Sequence, residues 1–407
     1  MTLIECFTQS HIDNLAACLR LRPDKVIFIG DAREMEKPVE RYKKVLGSRG
    51  MSTALSLRDT REKDLKELCR LLRELLMEPT EWVIDLTGGS EVLIMAVGAV
   101  LAGMDAQKRQ KIHVERLDRT GDAMVDCING HCYLPGKPAR LTVAELVAIH
   151  GGSLHVDSYQ PPEDCPPAEL NGLWEMVCED PRDWNRQLQL LQEFESRSDS
   201  KMQVFLPLAH LRGSIRDFDE KESVVRQLLG KLERSGVIRD QSSRSCLEYT
   251  YRSQLLRYCL LKAGNMLEIK TLLEGRAAQE KGSPLFCDCQ MGVSIDWDGV
   301  FYEPEERIPE TRNEIDVVLM QGTTPLFISC KNGNIGEEEL YKLHTVADRF
   351  GGPYARKMLI ATHLDRKSPA ANRAFVQRAW DMDIILVTDA AELSGEEWQQ
   401  LFRNAMR

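Results

Sequence analysis

A short hairpin pattern in the last third of the chain carries the residues best suited to chemistry. Residues 313–333 read NEIDVVLMQGTTPLFISCKNG, two apolar runs around a Gly-Thr-Thr-Pro turn, with Asp316 opening the first run and Lys331 closing the second. Because side chains alternate along a strand, residues 329 and 331 face one side, and a turn near Gly322 brings them level with Asp316. The pattern predicts an acid and a lysine that meet at the open end of the hairpin.

This pair has two interpretations. It can be a plain ion pair at the end of a sheet, or it can be part of a metal site. Carboxylate oxygens are the ligands that hard divalent cations prefer, and such a cation polarises a scissile phosphate and lowers the pKa of an attacking water. Lys331 would then orient that water or stabilise negative charge on the phosphate.

Composition limits the proteins that could contain such a hairpin. A chain of 407 residues with 43% hydrophobic and 29% charged residues predicts a soluble protein of two or three domains. No apolar run is long enough to cross a bilayer, and the N-terminus lacks a signal-peptide pattern, so we expect a cytoplasmic protein without a membrane partner. The formal net charge of −10 argues against a broadly basic surface for duplex DNA, but it leaves a nuclease open, since metal ions supply positive charge locally.

Strand and helix patterns alternate through the first 120 residues. Apolar runs at Leu3–Phe7, Val26–Ile29, Trp82–Leu86 and Ile112–Val114 predict strands, with helical spacing between them. This alternation predicts an α/β domain over residues 1–150, with a mostly parallel sheet covered by helices on both faces. Ligands bind such sheets beyond the carboxyl ends of the strands.

Three loops of this domain have suitable chemistry for a ligand. They offer side-chain donors, glycines that allow close approach, and helix starts that attract phosphate. The candidate ligand residues are Thr8, Gln9, Ser10, Arg33, Thr87, Gly88, Gly89 and Ser90. Any one loop alone is better explained as a helix cap and a tight turn. Since the glycine-rich fingerprints of NAD and ATP sites are absent, the three loops together indicate a nucleotide-sized anion site without a catalytic lysine.

Residues 151–250 predict a connecting module. The segment SYQPPEDCPPAELNG (158–172) is proline-rich and predicts a linker. Residues 222–238 have helical spacing, as in the second helix of a winged-helix unit. Its basic residues Arg226, Lys231 and Arg234 fit either a DNA-reading face or a solvated surface of mixed charge.

Residues 251–407 predict an α-β-β-β-α-β-α-β order. A long helical pattern over 251–275 precedes strands around 291–299 and in the hairpin, followed by a helix from Glu337 to Phe350. Apolar strands at 357–362 and near the C-terminus, with a helix between them, complete a mixed sheet.

These patterns resemble two known families. The T-x-S-type loop after the first strand and the later D-L-T-G-G-S before an apolar helix look like a CRISPR-associated Rossmann fold (CARF) domain. The C-terminal order, with EIDVVL…ISCKNG, resembles the core of PD-(D/E)xK restriction-endonuclease-like nucleases. The whole chain resembles the ancillary effectors of type III CRISPR systems that join these two domains.

The resemblance implies a homodimer that binds a cyclic oligoadenylate, most often cyclic tetra-adenylate, at the candidate ligand residues. It also implies a metal-dependent nuclease with Mn²⁺ or Mg²⁺ that cleaves single-stranded or supercoiled DNA, or RNA, in antiviral defence. Two alternatives stay open: a ligand-responsive DNA-binding regulator with a degenerate nuclease domain, and a ring nuclease that degrades its own activator.

Ser329 departs from the nuclease pattern. Many members of that superfamily have Glu or Asp two residues before the lysine, and serine is a poor metal ligand. The resemblance therefore predicts that another acid replaces it: Glu339 on the following helix, Glu268 on the first helix, or Glu314 on the strand of Asp316. We expect Asp316, Lys331, Glu339 and Glu268 to be catalytic, and Asp316, Glu268, Glu339 and Glu314 to hold the metal.

Overall fold

The computed structural model describes most of the chain in detail. The described residues are 1–61, 64–118, 123–128, 130, 138–154, 167–198, 200–299, 312–333, 335–364 and 368–407. Within them no helix is both long and apolar enough to cross a membrane. Most of the proline-rich segment, residues 158–166, lies outside the described residues, so the predicted linker stays a prediction.

Six strands form a sheet near the N-terminus, as the alternating pattern predicts. They are β1 (Thr2–Cys6), β2 (Lys25–Gly30), β3 (Ala54–Asp59), β4 (Trp82–Asp85), β5 (Ile112–Asp118) and β6 (Ala123–Asp126). The order is β3-β2-β1-β4-β5-β6, and only the β5–β6 pair is antiparallel. The order reverses between β1 and β4, and the loops after these two strands flank that reversal.

Helices cover both faces of this sheet. They are α1 (His11–Leu21), α2 (Ala32–Ser48), α3 (Leu65–Leu75), α4 (Glu91–Ala102) and the short α5 (Ala106–Arg109). Leu15 of α1 and Val39 of α2 lie in one buried cluster with Leu3 of β1. Leu72 of α3 and Val97 of α4 lie in another cluster with Ile4. The alternation of Leu3 and Ile4 along β1 therefore places one helix pair on each face.

A helical module with a small sheet follows. Its elements are α6 (Val143–Ile149), β7 (Ser153–Leu154), α7 (Pro167–Glu179), α8 (Pro181–Glu195), β8 (Gln203–Pro207), α9 (Leu208–Leu211), α10 (Phe218–Arg234), β9 (Ile238–Asp240) and β10 (Cys246–Tyr251). β10 pairs antiparallel with both β8 and β9. The winged-helix-like unit stays a prediction. Arg226 donates to Glu222, and Lys231 to Glu179. These pairings favour a solvated surface of mixed charge over a face that reads DNA.

The C-terminal part contains the mixed sheet predicted from the hairpin. Its elements are α11 (Gln254–Cys259), α12 (Asn265–Ala277), β11 (Gln279–Glu280), β12 (Ser283–Pro284), β13 (Asp288–Asp296), β14 (Arg312–Gln321), β15 (Thr324–Gly333), α13 (Glu338–Gly351), β16 (Arg356–Leu364), α14 (Pro369–Asp381), β17 (Ile384–Val387) and α15 (Gly395–Ala405). The sheet order is β17-β16-β15-β14-β13-β7, antiparallel through β13–β15 and parallel through β15–β17.

The prediction of one long helix over residues 251–275 is wrong in detail. β10 extends to Tyr251, and the helical segment is interrupted between Cys259 and Asn265, where the sequence is LLKAG. The interruption starts α12 close to Glu268, which lies in its first turn. The predicted domain limits at 150 and 250 stay a prediction, although β7 joins the C-terminal sheet by pairing with β13.

Candidate active site and ligand crevice

Asp316 and Lys331 meet at the open end of the β14–β15 hairpin, as predicted. The ladder between the strands extends from Gln321↔Thr324 at the turn to Val317↔Ile328. Beyond it the Asp316 carboxylate bridges the strands. Its Oδ2 accepts from the Cys330 backbone N–H at 2.6 Å and from the Lys331 ammonium at 3.1 Å. The Asp316 carboxylate therefore takes the place of a backbone carbonyl as the acceptor for the Cys330 N–H at the end of the ladder.

Ser329 lies two residues before the lysine and is buried against the same carboxylate. Its hydroxyl donates to Asp316 Oδ2 at 3.2 Å, and its side chain faces the site rather than the core. A neutral hydroxyl in this position donates a hydrogen bond to the acid and adds no negative charge of its own. Ser329 thus orients Asp316, and another group must supply the missing charge.

Glu339 lies next to Lys331 on the neighbouring helix. Lys331 Nζ is 3.3 Å from Glu339 Oε2, and Lys342 Nζ donates to Glu339 Oε1 at 2.8 Å. Leu340, Leu343 and the later buried residues of α13 pack on the sheet, and this packing aims Glu339 at the open end of the hairpin. Asp316, Lys331 and Glu339 therefore form a row of ion-paired side chains, with Lys331 in the middle.

The charges of these ion-paired side chains shift the pKa values of Lys331 and Glu339. Burial alone would lower the pKa of Lys331, but Asp316 and Glu339 outweigh it and raise that pKa above its ordinary value. Burial alone would raise the pKa of Glu339, but Lys342 and Lys331 outweigh it and lower that pKa. Both groups are therefore ionised at neutral pH, with Lys331 as the cation between two acids.

Glu268 and Glu314 complete the acidic surroundings. Burial first, and then the charges of Asp316 and Glu314, raise the pKa of Glu268 to about 8. Glu268 projects from the first turn of α12, and Glu314 is exposed two residues before Asp316 on β14. Among the acids of the prediction, Asp316 and Glu339 both contact Lys331, and the charges of Asp316 and Glu314 act on Glu268.

The donor set fits a hard divalent cation. All four acids offer carboxylate oxygens, and the pKa of Glu268, which burial and then its acidic neighbours raise, would fall beside a bound cation. Among the described residues, however, no three acidic, histidine or cysteine side chains already form a metal-binding group. Binding a cation would therefore require these side chains to move together.

The predicted ligand loops lie side by side at the carboxyl ends of β1 and β4. A Cβ on Gly88 would lie 2.6 Å from Thr8 Cβ, and Gly89 has a φ of +98°, so both positions need glycine. Asn14 fixes the other loop: it accepts from the Thr8 N–H and donates to the Thr8 carbonyl. The two loops form a tightly packed crevice.

The candidate ligand residues differ in the hydrogen bonds and ion pairs that their side chains already make. Thr87 donates to Asp85 and accepts from the Leu117 N–H. Ser90 accepts from Leu93 as the cap of α4, and Arg33 pairs with Asp31. Gln9 is exposed, and the Ser10 side chain makes no capping hydrogen bond. Among the described hydrogen bonds, the side chains of Gln9 and Ser10 are therefore not engaged as those of Thr87, Ser90 and Arg33 are.

A row of buried acids lies below the crevice, and the sequence analysis missed it. Glu5, Asp85 and Glu115 are partners in register on three neighbouring strands, and each is fully buried. Burial is the main cause that raises the pKa of Asp85 to about 6 and of Glu115 to about 7, and that of Glu5 well above its usual range. An acid inside each of three apolar strands was the signal in the sequence.

Comparisons with known proteins identify a similarity in the C-terminal part of the chain. Residues 258–395 match the family model described as Card1-like, endonuclease domain. The match contains Glu268, Asp316, Lys331 and Glu339. The predicted resemblance to CARF-domain nuclease effectors is confirmed.

Two solved structures share the fold over the whole chain. The crystal structure of protein VC1899 from Vibrio cholerae aligns with a TM-score of 0.72 at 19% identity, covering 100% of this chain and 97% of that one. Can2 from Sulfobacillus thermosulfidooxidans, solved in complex with cyclic tetra-adenylate, aligns with a TM-score of 0.65 at 16% identity and the same coverage. No curated protein matches the chain significantly in sequence.

Because the Thr87 side chain makes hydrogen bonds within the fold and the Ser10 side chain makes no capping bond, substitutions at the two positions should differ in their effect on stability. Thr87→Val keeps the shape and the backbone N–H bond to Asp85, but it removes the hydroxyl bond to Asp85 and leaves the Leu117 N–H without its partner, so we expect a loss of about 1–3 kcal/mol in the free energy of unfolding. Ser10→Ala removes no capping bond and should leave stability close to wild type. Urea unfolding of both variants measures the difference, and equal stabilities would contradict the assignment.

The raised pKa of Glu268 predicts that divalent cations displace a proton. With a pKa of about 8 the carboxyl is mostly protonated at pH 7, and a bound cation lowers that pKa. Titration calorimetry with Mn²⁺ at pH 7, in two buffers of different ionisation enthalpy, should show proton release by the wild type and none by Glu268→Gln. Glu338→Gln, an exposed acid at the start of α13, serves as the control and should release the proton as the wild type does.

Proposed function

We propose that the protein is a metal-dependent endonuclease that a cyclic oligoadenylate activates. The observation that supports the proposal is the row of ion-paired side chains Asp316, Lys331 and Glu339. All three lie within the residues that match the endonuclease model. The reaction is hydrolysis of phosphodiester bonds in DNA or RNA. Single-stranded or supercoiled nucleic acid is the proposed substrate, and antiviral CRISPR defence in the cytoplasm is the proposed setting.

Asp316, Glu268, Glu339 and Glu314 would hold Mn²⁺ or Mg²⁺. When bound, the cation supplies a Lewis acid for the phosphate and lowers the pKa of a nearby water. Ser329 and the Cys330 N–H keep Asp316 aimed at the site, so their role is positioning. Lys331, protonated at neutral pH and only partly exposed, stabilises negative charge that develops on the phosphate.

The crevice between the loops after β1 and β4 is the proposed activator site. The solved structure of Can2, which shares the fold, contains cyclic tetra-adenylate, and this supports the same ligand class here. Gln9, Ser10 and the backbone of Gly88 and Gly89 would contact the ligand. Thr8, Thr87 and Ser90 shape the loops, and Arg33 would reach the ligand by leaving Asp31.

Contacts between the two parts of the chain support control at a distance. Leu117, whose N–H bonds to Thr87, belongs to the same buried cluster as Leu141. The Leu141 N–H donates to the Gly322 carbonyl at the turn of the catalytic hairpin, at 2.9 Å. An activator shifts the equilibrium only if it binds the active arrangement more tightly than the resting one. The contacts from Thr87 through Leu117 and Leu141 to Gly322 connect the ligand loops to the hairpin.

The exposed face of α4 supports the proposed homodimer. This helix is apolar nearly throughout, yet Val92, Ile94 and Met95 are exposed, with Met95 at 57%. Gly98 on the same helix has no neighbour within 4 Å of an added Cβ. An apolar helix face that begins directly after the Thr87–Ser90 loop suits contact with a second copy of this chain, which would bring two crevices together.

A ligand-responsive DNA-binding regulator remains the second candidate. Ser329 is the observation that favours it, because serine replaces a metal-ligating acid. The nuclease assays that follow separate the two functions.

Variants of the hairpin site test the nuclease. We expect Lys331→Ala to lower the cleavage rate by about 10²-fold or more, and Glu339→Ala to cost nearly as much as Asp316→Ala. Glu338→Ala, one residue away on the exposed side, should keep wild-type cleavage. Rates are measured on labelled DNA and RNA with Mn²⁺. Cleavage that persists in Lys331→Ala would show that the site is elsewhere, and no cleavage by the wild type would favour the regulator.

Activator dependence tests the switch separately. Cleavage of single-stranded and supercoiled substrates should require cyclic tetra-adenylate in addition to Mn²⁺ or Mg²⁺. Activity without the activator would refute the switch and leave the nuclease assignment intact. Linear products formed from cyclic tetra-adenylate in the same assay would instead reveal a ring nuclease.

Charge on the exposed face of α4 tests the dimer. Met95→Lys places an ammonium in the apolar face, so we expect sedimentation to show monomers where the wild type forms dimers. Lys108→Glu on the short α5, outside that face, is the control and should stay dimeric. A wild-type protein that sediments as a monomer at all concentrations with activator would exclude the homodimer.

A further inference from the structure

Lys331 lies where β15 leaves its regular pairing on both sides. The ladder with β14 ends three residues before the lysine. On the other side Lys331 pairs with Ala361 of β16. The next pair, Gly333↔Leu364, lies two residues further on β15 but three further on β16, so the register shifts at Asn332. A strand end without a regular ladder opens easily, so the position of the lysine depends on other contacts.

Asn332, the residue after the lysine, is held by hydrogen bonds from several elements. Its side-chain amide donates to Asn185 Oδ1 at 2.8 Å and to the Ala263 carbonyl at 3.4 Å. Its side-chain oxygen accepts from the Thr362 hydroxyl, and its backbone carbonyl accepts from the Asn185 amide at 3.2 Å. Asn185 and Asn332 thus bond to each other in both directions, and we refer to them as the amide pair.

The amide pair connects β15 to a helix outside the residues that match the endonuclease model. Asn185 lies on α8, and Leu188 of the same helix shares a buried cluster with Cys330 of β15. Because side chains alternate along a strand, Asn332 lies on the same side as Cys330, whereas Lys331 lies on the other side. A helix of the connecting module therefore packs on the side of β15 opposite to the lysine.

A second amide of α8 contacts the loop that precedes α12. Gln192 Nε2 donates to the Leu260 carbonyl at 3.2 Å and also to the Leu261 carbonyl. This loop leads to the first turn of α12, where Glu268 lies. One helix thus contacts two segments that carry residues of the hairpin site, the end of β15 with Lys331 and the approach to Glu268.

We propose that Asn332, held by Asn185, is a positioning residue that keeps Lys331 beside the scissile phosphate. This inference rests on the proposed nuclease, in which Lys331 stabilises negative charge on the phosphate. Such stabilisation requires a fixed geometry, since a misplacement of about 1 Å can cost about 10²-fold in rate. Asp316 fixes the ammonium end of the lysine, and the amide pair fixes the backbone next to it.

The proposal gives the connecting module a part in the reaction. Residues 258–395, which match the endonuclease model, do not include Asn185. The matched segment therefore depends on α8 for the position of its own lysine. A displacement of α8 from the sheet would break the amide pair and release the end of β15.

Leucine substitutions in the full-length protein test the positioning role. Asn332→Leu and Asn185→Leu remove the amide pair at similar side-chain volume, so each should lower kcat for cleavage about tenfold or more. KM should stay within about twofold of the wild-type value, because the amide pair acts on the lysine and does not bind the substrate. Rates are measured on labelled DNA and RNA with Mn²⁺ and cyclic tetra-adenylate. Wild-type kcat in both variants would overturn the proposal.

Two further variants of α8 separate positioning from a loss of folding. Gln187→Leu removes an amide that donates to Asp183 within the same helix, and it should keep the wild-type kcat. Asn185→Asp keeps the acceptor for the Asn332 amide, so it should recover most of the kcat that Asn185→Leu loses. A loss of kcat that follows the fall in melting temperature across all these variants would assign Asn185 a purely structural role and refute positioning.

Hydrogen exchange tests the amide pair without relying on cleavage. In a peptide that spans residues 327–333, backbone amides should exchange about tenfold faster or more in Asn185→Leu than in the wild type. Gln187→Leu should exchange at the wild-type rate. Unchanged exchange in Asn185→Leu would contradict the proposal even if the wild type cleaves. Faster exchange with a wild type that does not cleave would instead refute the nuclease, and with it the part of the amide pair in the reaction.

Discussion

The hydrogen bonds to one carboxylate hold the β14–β15 hairpin together where its backbone ladder ends. Asp316 Oδ2 accepts from Ser329, Cys330 and Lys331, so a single acid fixes both strands and the lysine. The strands themselves are buried on both faces, which leaves the hairpin little freedom to rotate. The position of Glu339 follows from this arrangement, because Lys331 is the group that connects it to Asp316.

Local patterns in the sequence were sufficient to predict the hairpin, its turn and the side chains that meet at its open end. They depend on strand alternation and a short turn, both of which act over few residues. The parallel sheet was also predictable, except for β3. Its residues Ala54–Asp59 are partly exposed and lack a continuous apolar run, so no local signal marked them. The break between α11 and α12 was missed because the apolar spacing continues through it.

The roles of individual side chains could not be predicted in this way. Ser329 was read as a missing ligand, and only its contact with Asp316 shows that it orients the acid. The sequence predicts Thr87 as a ligand contact, a call that stays a prediction, but spacing alone does not show that its hydroxyl bonds to Asp85 and the Leu117 N–H. Such pairings arise from tertiary packing, which sequence spacing does not encode.

The buried acids have a consequence for the charge of the whole molecule. The formal value of −10 counts every carboxyl group as ionised, but burial raises the pKa of Glu268 to about 8, that of Glu115 to about 7, and that of Glu5 well above its usual range. The native protein is therefore less negative than its composition indicates, and its isoelectric point lies above that of the unfolded chain. Unfolding would release these protons, so the folded state gains stability as the pH falls toward the pKa values of the unfolded acids. A polyanion that approaches the native surface meets weaker repulsion than the amino-acid count implies.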